Sequence, residues 1–195
     1  MLFVNYKNDN TMKITLEGIK IKLISMMEED AQDFVTLRNN PEYNRFLSNR
    51  NQQITVGGHL NWMRNLNNQF DFKIVLKDNN TFSGGIALYD IVTLPETNIY
   101  QAEFGRYIAI NSISAVESEF MILKFGFDIL KLKRIYCNTV KKNEKVWKQH
   151  LKFGFRIIGE DYDERIDEIR VMQEIYYDEF KNHDYSSIEK LLKYV

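Results

Sequence analysis

Few side chains in this 195-residue sequence can move protons near neutral pH. It has three histidines, His59, His150 and His183, and one cysteine, Cys137. They are scattered without the spacing of metal ligands, so no metal centre is expected. What remains is proton transfer by imidazole and carboxylate, and anion binding by arginine. His150 lies in N-E-K-V-W-K-Q-H-L-K-F-G-F (143–155), and its imidazolium can give up a proton at neutral pH. Glu103 lies in the strand-like run Y-Q-A-E-F-G-R-Y-I-A-I (100–110). A carboxylate partly buried there would hold a raised pKa and can accept a proton, directly or through water. His59 follows Gly57-Gly58 and precedes an apolar helix face, which makes it a second candidate base or a substrate ligand. Arg38 can clamp a phosphate bidentately. Each has a plainer reading: histidines bonded within the fold, a structural carboxylate, an ion pair between Arg38 and Glu42.

The elements that must position these groups follow from periodicity and punctuation. Residues 1–18 read as a loose arm or an extra edge strand. Residues 19–24 alternate apolar and basic, the period of a half-buried strand. Glu28-Glu29-Asp30 starts a helix with Ala31, Phe34, Val35 and Leu37 inward, broken at Asn39-Asn40-Pro41. A second helix is expected over 55–66. Strands follow at 70–76 and 81–92, the latter carrying Gly84-Gly85, where a bulge or close backbone approach is expected. A strand at 100–110 precedes the clearest helix, 115–130, with Phe120, Leu123, Phe127 and Leu130 on one face. Then come a strand (134–140), a helix (143–153), strands at 155–161 and 168–177, and a short helix at 185–192. Asn143 suits the N-cap of its helix and Gly154 the position just past its end. The pattern is one mixed α/β (α+β) domain over 1–195, with a short arm (1–18) and a C-terminal helical extension (178–195).

Composition narrows the function classes. A formal net charge of −1 gives no global field for nucleic acid or an anionic membrane. A single cysteine allows no internal disulfide and fits a reducing cytoplasm, and its β-branched, aromatic surroundings predict a buried thiol. The N-terminus lacks the apolar stretch of a secretory signal, and no apolar run approaches the ~20 residues that span a bilayer. A soluble, cytoplasmic protein is expected.

The string strand–Asn–helix–Gly–Phe–strand around 134–161 resembles the C-terminal half of the GNAT acyltransferase fold, N-x-x-A-x-x-x-Y-x-x-x-G-F. Val146 stands for the usual Ala and His150 for the usual Tyr. The order of elements, with two helices between the first and second strands, is the GNAT order, and the resemblance covers about residues 19–177. Within it L-R-N-N-P-E (37–42), H-L-N-W-M-R-N-L (59–66), A-E-F-G-R-Y (102–107) and K-F-G-F-D-I-L-K-L (124–132) are similar to nucleotide-amino-sugar N-acetyltransferases of pseudaminic acid biosynthesis and related sugar N-acyltransferases.

The resemblance implies a mixed, mostly antiparallel central sheet flanked by helices. It also implies transfer of an acetyl or other short acyl group from acyl-CoA to the amine of a nucleotide-linked amino sugar. Acceptors of another class, protein N-termini, belong to a branch with the same helix pair, and a non-catalytic acyl-CoA-binding relic is the third reading. Small-molecule partners are implied, not nucleic acid or membrane, and a homodimer is compatible. In the family, acyl-CoA lies between the fourth strand and the next helix, on a loop basic-x-x-Gly-x-Gly/Ala whose N–H groups meet phosphate. Here that loop is N-S-I-S-A-V-E (111–117): Ala115 is the second small residue, Ile113 replaces the first Gly, and the basic residue is missing. Glu117 would oppose phosphate if it faced inward. The implied cofactor contacts are Tyr107, Ile108, Ile113, Ser114, Ala115, Val116 and Asn143. The implied catalytic groups are His150 as general acid and Glu103 or His59 as base, with Arg38, Asn39 and His59 at the acceptor.

Overall fold

Alternation of apolar and polar residues builds the sheet. In β3 (Ile21–Ser25) Ile21 and Leu23 are buried, while Lys22 between them is half-buried. The computed structural model describes residues 2–6 and 12–194. The first strands are β1 (Leu2–Tyr6) and β2 (Met12–Glu17), paired antiparallel. Residues 2–6 and 12–17 are therefore strands at the sheet edge rather than a loose arm; residues 7–11 lie outside the described residues. After β3 come a 3-10 turn (Glu28–Asp30), α1 (Ala31–Asn39), α2 (Pro41–Asn44) and α3 (Val56–Arg64). The strands β4 (Phe70–Leu76), β5 (Phe82–Leu94) and β6 (Ile99–Ala109) follow, then α4 (Ser112–Lys124) with a π-helical turn (Phe125–Ile129). The chain ends with β7 (Arg134–Val140), α5 (Glu144–Lys152), β8 (Arg156–Asp163), β9 (Glu168–Tyr176), α6 (Tyr177–Asn182) and α7 (Ser186–Tyr194).

Among the described residues the nine strands form one sheet, β1-β2-β3-β4-β5-β6-β7-β9-β8, antiparallel throughout except for β6–β7. Its core includes the fully buried Phe72, Phe104, Phe127 and Phe153. The register of β5 against β4 slips at Ser83, beside Gly84, where a bulge was expected.

Helix ends explain the remaining differences. α4 begins at Ser112, three residues before the expected start, because Asn111 Oδ1 accepts from Ser114 N–H at 2.8 Å and caps it. Asn143 precedes α5, but its side chain makes no capping bond, so the expected N-cap is one in position only. The Glu117 carboxylate turns away from its helix end. It accepts from the Ile19 N–H, from Lys20 N–H at 2.9 Å and from Ile21 N–H at 3.1 Å, tying down the β2–β3 turn. It does not oppose an anion at the start of α4.

Candidate active site

Strands β6 and β7 pair only from Gln101/Arg134 to Glu103/Tyr136. Beyond that they part, and a cleft of about 520 Å³ opens between Glu103–Tyr107 on one side and Cys137–Val140 on the other. Helix α5 adds Val146 and His150, and Arg38 and Asn143 complete the lining used below. Peptide groups on the freed edge of β6 have no ladder partner, so N–H groups there are available to a ligand oxygen.

The β6 wall is also bulged. Ala87 pairs with Gly105 and Gly85 with Ile108, so Arg106 and Tyr107 share the space opposite Ile86. Arg106 sits at φ 48°, a left-handed conformation that is costly for its side chain and clusters at functional sites. The kink lays its guanidinium 4.2 Å over the Tyr89 ring and 5.1 Å over Trp62, with Asp71 at 3.2 Å.

Glu103 lies where the two strands part. Its carboxylate accepts from Tyr89 O–H at 2.7 Å and from Asn138 N–H at 3.4 Å. Burial pushes its pKa above the usual carboxylate range, against the pull of those two bonds. Gly105 makes the arrangement possible: a Cβ there would stand 2.7 Å from the Tyr89 hydroxyl.

His150 faces Glu103's cleft from α5. It is 2% exposed, and its Nδ1 lies at hydrogen-bond distance, 2.7 Å, from Glu119 Oε1. The second carboxylate oxygen accepts from Gln149 Nε2–H at 2.6 Å. Phe104 meets the imidazole edge-on, with centroids 5.2 Å apart.

A narrower groove of about 170 Å³ lies between the end of β6, the start of α4 and α5. Tyr107, Asn111, Ser112, Ala115, Lys145 and Gln149 are among its lining residues. The Asn111 side chain claims Ser114 N–H and the Asn111 carbonyl claims Ala115 N–H, leaving Ser112 and Ile113 N–H outside both bonds. These N–H groups and the positive end of the helix dipole suit an anion.

Residues 20–156 match the family model described as an acetyltransferase (GNAT) domain. The chain belongs to the GNAT family. This GNAT chain is 29% identical over 150 residues to the acetyltransferase PseH of Campylobacter jejuni, covering 73% of this chain and 89% of PseH. Its fold is similar to that of FdhC, described as a nucleotide-linked sugar GNAT, with a TM-score of 0.75 at 24% identity, covering 91% of this chain and 98% of FdhC. It is also similar to the spermidine N-acetyltransferase of Vibrio cholerae solved with CoA and spermine, with a TM-score of 0.71 at 18% identity, covering 85% of this chain and all of the other.

GNAT acetyltransferases take their acyl group from acetyl-CoA, and this GNAT chain is an N-acetyltransferase. The residues present fit that donor. The groove offers helix N–H groups, and Lys145 brings from α5 the positive charge that the 111–117 loop lacks. Of the cofactor contacts implied by sequence, Tyr107, Ala115 and Asn143 line the cleft or the groove. The side chains of Ile108, Ile113, Ser114 and Val116 line neither. Ile108 is buried opposite Gly85, Val116 packs on the core, and Ser114 is fully buried with its hydroxyl 2.7 Å from that of Ser83.

The acceptor-side residues divide likewise. Arg38 lines the cleft, and its hydrogen-bond partner is the neutral Asn49 Oδ1 at 3.3 Å rather than Glu42. Burial, then the neighbouring Arg106 charge, lowers its pKa. Asn39 does not line the cleft: its amide exchanges bonds of 2.8 and 2.9 Å with the backbone of Ile54, pinning the α2–α3 loop to α1. His59 does not line the cleft either. It is 5% exposed and stacked between Phe34 and Trp62, and Nε2 is buried without a partner. Burial and then the Arg38 charge push it down to about 4, so it is neutral at physiological pH.

Tyr89, Arg106, Glu119, Asn138, Lys145 and Gln149 were not anticipated from sequence. The one local signal was Glu119 itself, an acid in a helix whose neighbours Phe120, Ile122 and Leu123 are core residues.

Proposed function

We propose that this chain transfers an acetyl or other short acyl group from acyl-CoA to the amine of a nucleotide-linked amino sugar. The observation that carries the acceptor is Arg38: a guanidinium in the cleft wall, bonded to a neutral amide and repelled by Arg106. Such a cation gains most from a ligand anion, and its planar fork suits a phosphate. A polyamine acceptor would meet like charge there, and a peptide N-terminus would bring no anion to add to the partial compensation that Asp71 gives Arg38. FdhC, a nucleotide-linked sugar GNAT by description, supports the same choice by analogy.

The donor brings an activated thioester, whose hydrolysis-prone carbonyl is polarised by N–H groups on the freed edge of β6. Glu103, held by Tyr89 and Asn138, takes the proton of the attacking amine. His150 Nε2 gives a proton to the departing sulfur. Asn143, free of capping duty, lines the cleft where it can hold the amide chain of the donor. His59, neutral and enclosed, takes no proton in this scheme; it shapes the wall behind Arg38. The chain acts as one catalytic unit, in the cytoplasm where a buried Cys137 stays reduced, alone or as a homodimer, and its product feeds a surface glycan.

Arg38→Ala tests the acceptor. Losing a bidentate phosphate contact of about 2 kcal/mol should raise the acceptor KM by roughly tenfold or more. The acetyl-CoA KM should stay as it is. Steady-state kinetics with each substrate varied in turn gives the answer; an unchanged acceptor KM would remove Arg38 from the site.

A further inference from the structure

We infer that Glu119 is a positioning residue for acyl transfer: its buried carboxylate fixes the proton of His150 on Nδ1 and so turns Nε2 to the cleft. The inference rests on the role proposed above for His150.

Glu119 is 0% exposed and sits on the inner face of α4. Enclosing a carboxylate is costly, and an apolar residue of similar volume is often as good or better for stability. Both Glu119 oxygens are spent on adjacent residues of α5, Oε1 on His150 Nδ1 at 2.7 Å and Oε2 on Gln149 Nε2–H at 2.6 Å. Gln149 also donates to the Tyr107 hydroxyl at 3.4 Å, and that hydroxyl donates to the Ala115 carbonyl at 2.5 Å. Tyr107 from β6, Cys137 from β7 and Tyr185 ahead of α7 face the same carboxylate, and its charge adds to burial in holding all three in their neutral forms. The carboxylate therefore has one ionisable donor within reach, the imidazole.

The consequence is directional. With Nδ1 bound to Glu119, the ring nitrogen left to the cleft is Nε2. The residue is among those that line the cleft. Phe104 and Phe155, with centroids at 5.2 and 5.5 Å, fix the ring plane. An acid oriented by a third group is the general form of such sites. In the transfer, the amine nitrogen bonds to the acetyl carbon and the carbon–sulfur bond breaks. The amine proton goes to Glu103 and the Nε2 proton to sulfur. The imidazole left behind keeps its remaining proton on Nδ1 against Glu119, and Nε2 recovers a proton from solvent. Glu119 itself exchanges none.

The test is Glu119→Gln in the full chain, with steady-state kinetics and imidazole-nitrogen NMR. The His150 signal is assigned by its loss in His150→Asn. The wild-type neutral ring should be the Nδ1–H tautomer. Glu119→Gln should lower kcat by about 10–100-fold, as removal of orienting partners does elsewhere, with the acetyl-CoA KM unchanged and Nε2–H tautomer appearing. If Glu119→Gln does not fold, Glu119→Asp keeps the charge but withdraws it from Nδ1, and the same two readouts apply. A wild-type Nε2–H tautomer, or a variant with full kcat and unaltered tautomer, overturns the inference. If His150→Asn is slow while the Glu119 variants are not, only Glu119's role falls. If His150→Asn is fully active, the reading of His150 falls first.

Discussion

His150→Asn should lower kcat by about 10²–10⁴-fold, the usual loss when a general acid is removed. The choice of Asn follows from the geometry. Its amide N–H can replace Nδ1–H as donor to Glu119, but it puts no ionisable nitrogen in the cleft. His150→Phe should lose the same activity and also stability, because it strands the Glu119 carboxylate, which now has Nδ1–H at 2.7 Å. His150→Tyr should recover part of the rate, since a phenol can donate from the same helix face. Measuring kcat and melting temperature at saturating acetyl-CoA separates the roles. If His150 only packs, His150→Asn keeps its turnover and the variants differ in melting temperature alone.

Glu103→Gln should also cost about 10²–10⁴-fold in kcat, but with the opposite effect on stability. Burial raises the Glu103 pKa, so the folded state prefers the protonated form. The favourable contribution of that form is complete below the ordinary Glu value and is lost as pH climbs through the raised one. Glutamine stays neutral throughout and can keep the bond from Tyr89 O–H, now 2.7 Å. The variant should therefore melt with wild type at acid pH and above it at alkaline pH, the gap opening as pH climbs through the raised value and then holding. Melting curves across that range, beside kcat, test both halves. A variant that is slow and also less stable at alkaline pH would mark Glu103 as a structural ion.

What the sequence discloses is what acts locally. β4 and β7 occupy the very residues that alternation and flanking turns suggest, 70–76 and 134–140. The slip beside Gly84 was foreseeable from the glycine pair, and Glu103 and His150, singled out by type and element, line one cleft. The rest is decided by partners far along the chain. Glu119 meets a histidine 31 residues away. Glu117 finds three N–H groups in the β2–β3 turn rather than an anion. Phe34 and Trp62 close over His59, so a residue type suited to catalysis serves as wall. Lys145 reaches the groove from another helix, which no motif of the 111–117 loop can reveal. Arg106 owes its place to a bulge whose left-handed residue has no sequence signal, being neither glycine nor asparagine.

The central claim concerns the acceptor, and release of CoA thiol tests it most directly. The chain is incubated with acetyl-CoA and, in parallel, nucleoside-diphosphate amino sugars, the same amino sugars without the nucleotide, a polyamine and a peptide with a free N-terminus. Mass spectrometry follows the products. Thiol release should be fastest with a nucleotide-linked amino sugar, with the acetyl group on its amine, and should fall sharply when the nucleotide is absent. Efficient acetylation of the polyamine or the peptide, with no nucleotide-linked sugar accepted, would contradict the account.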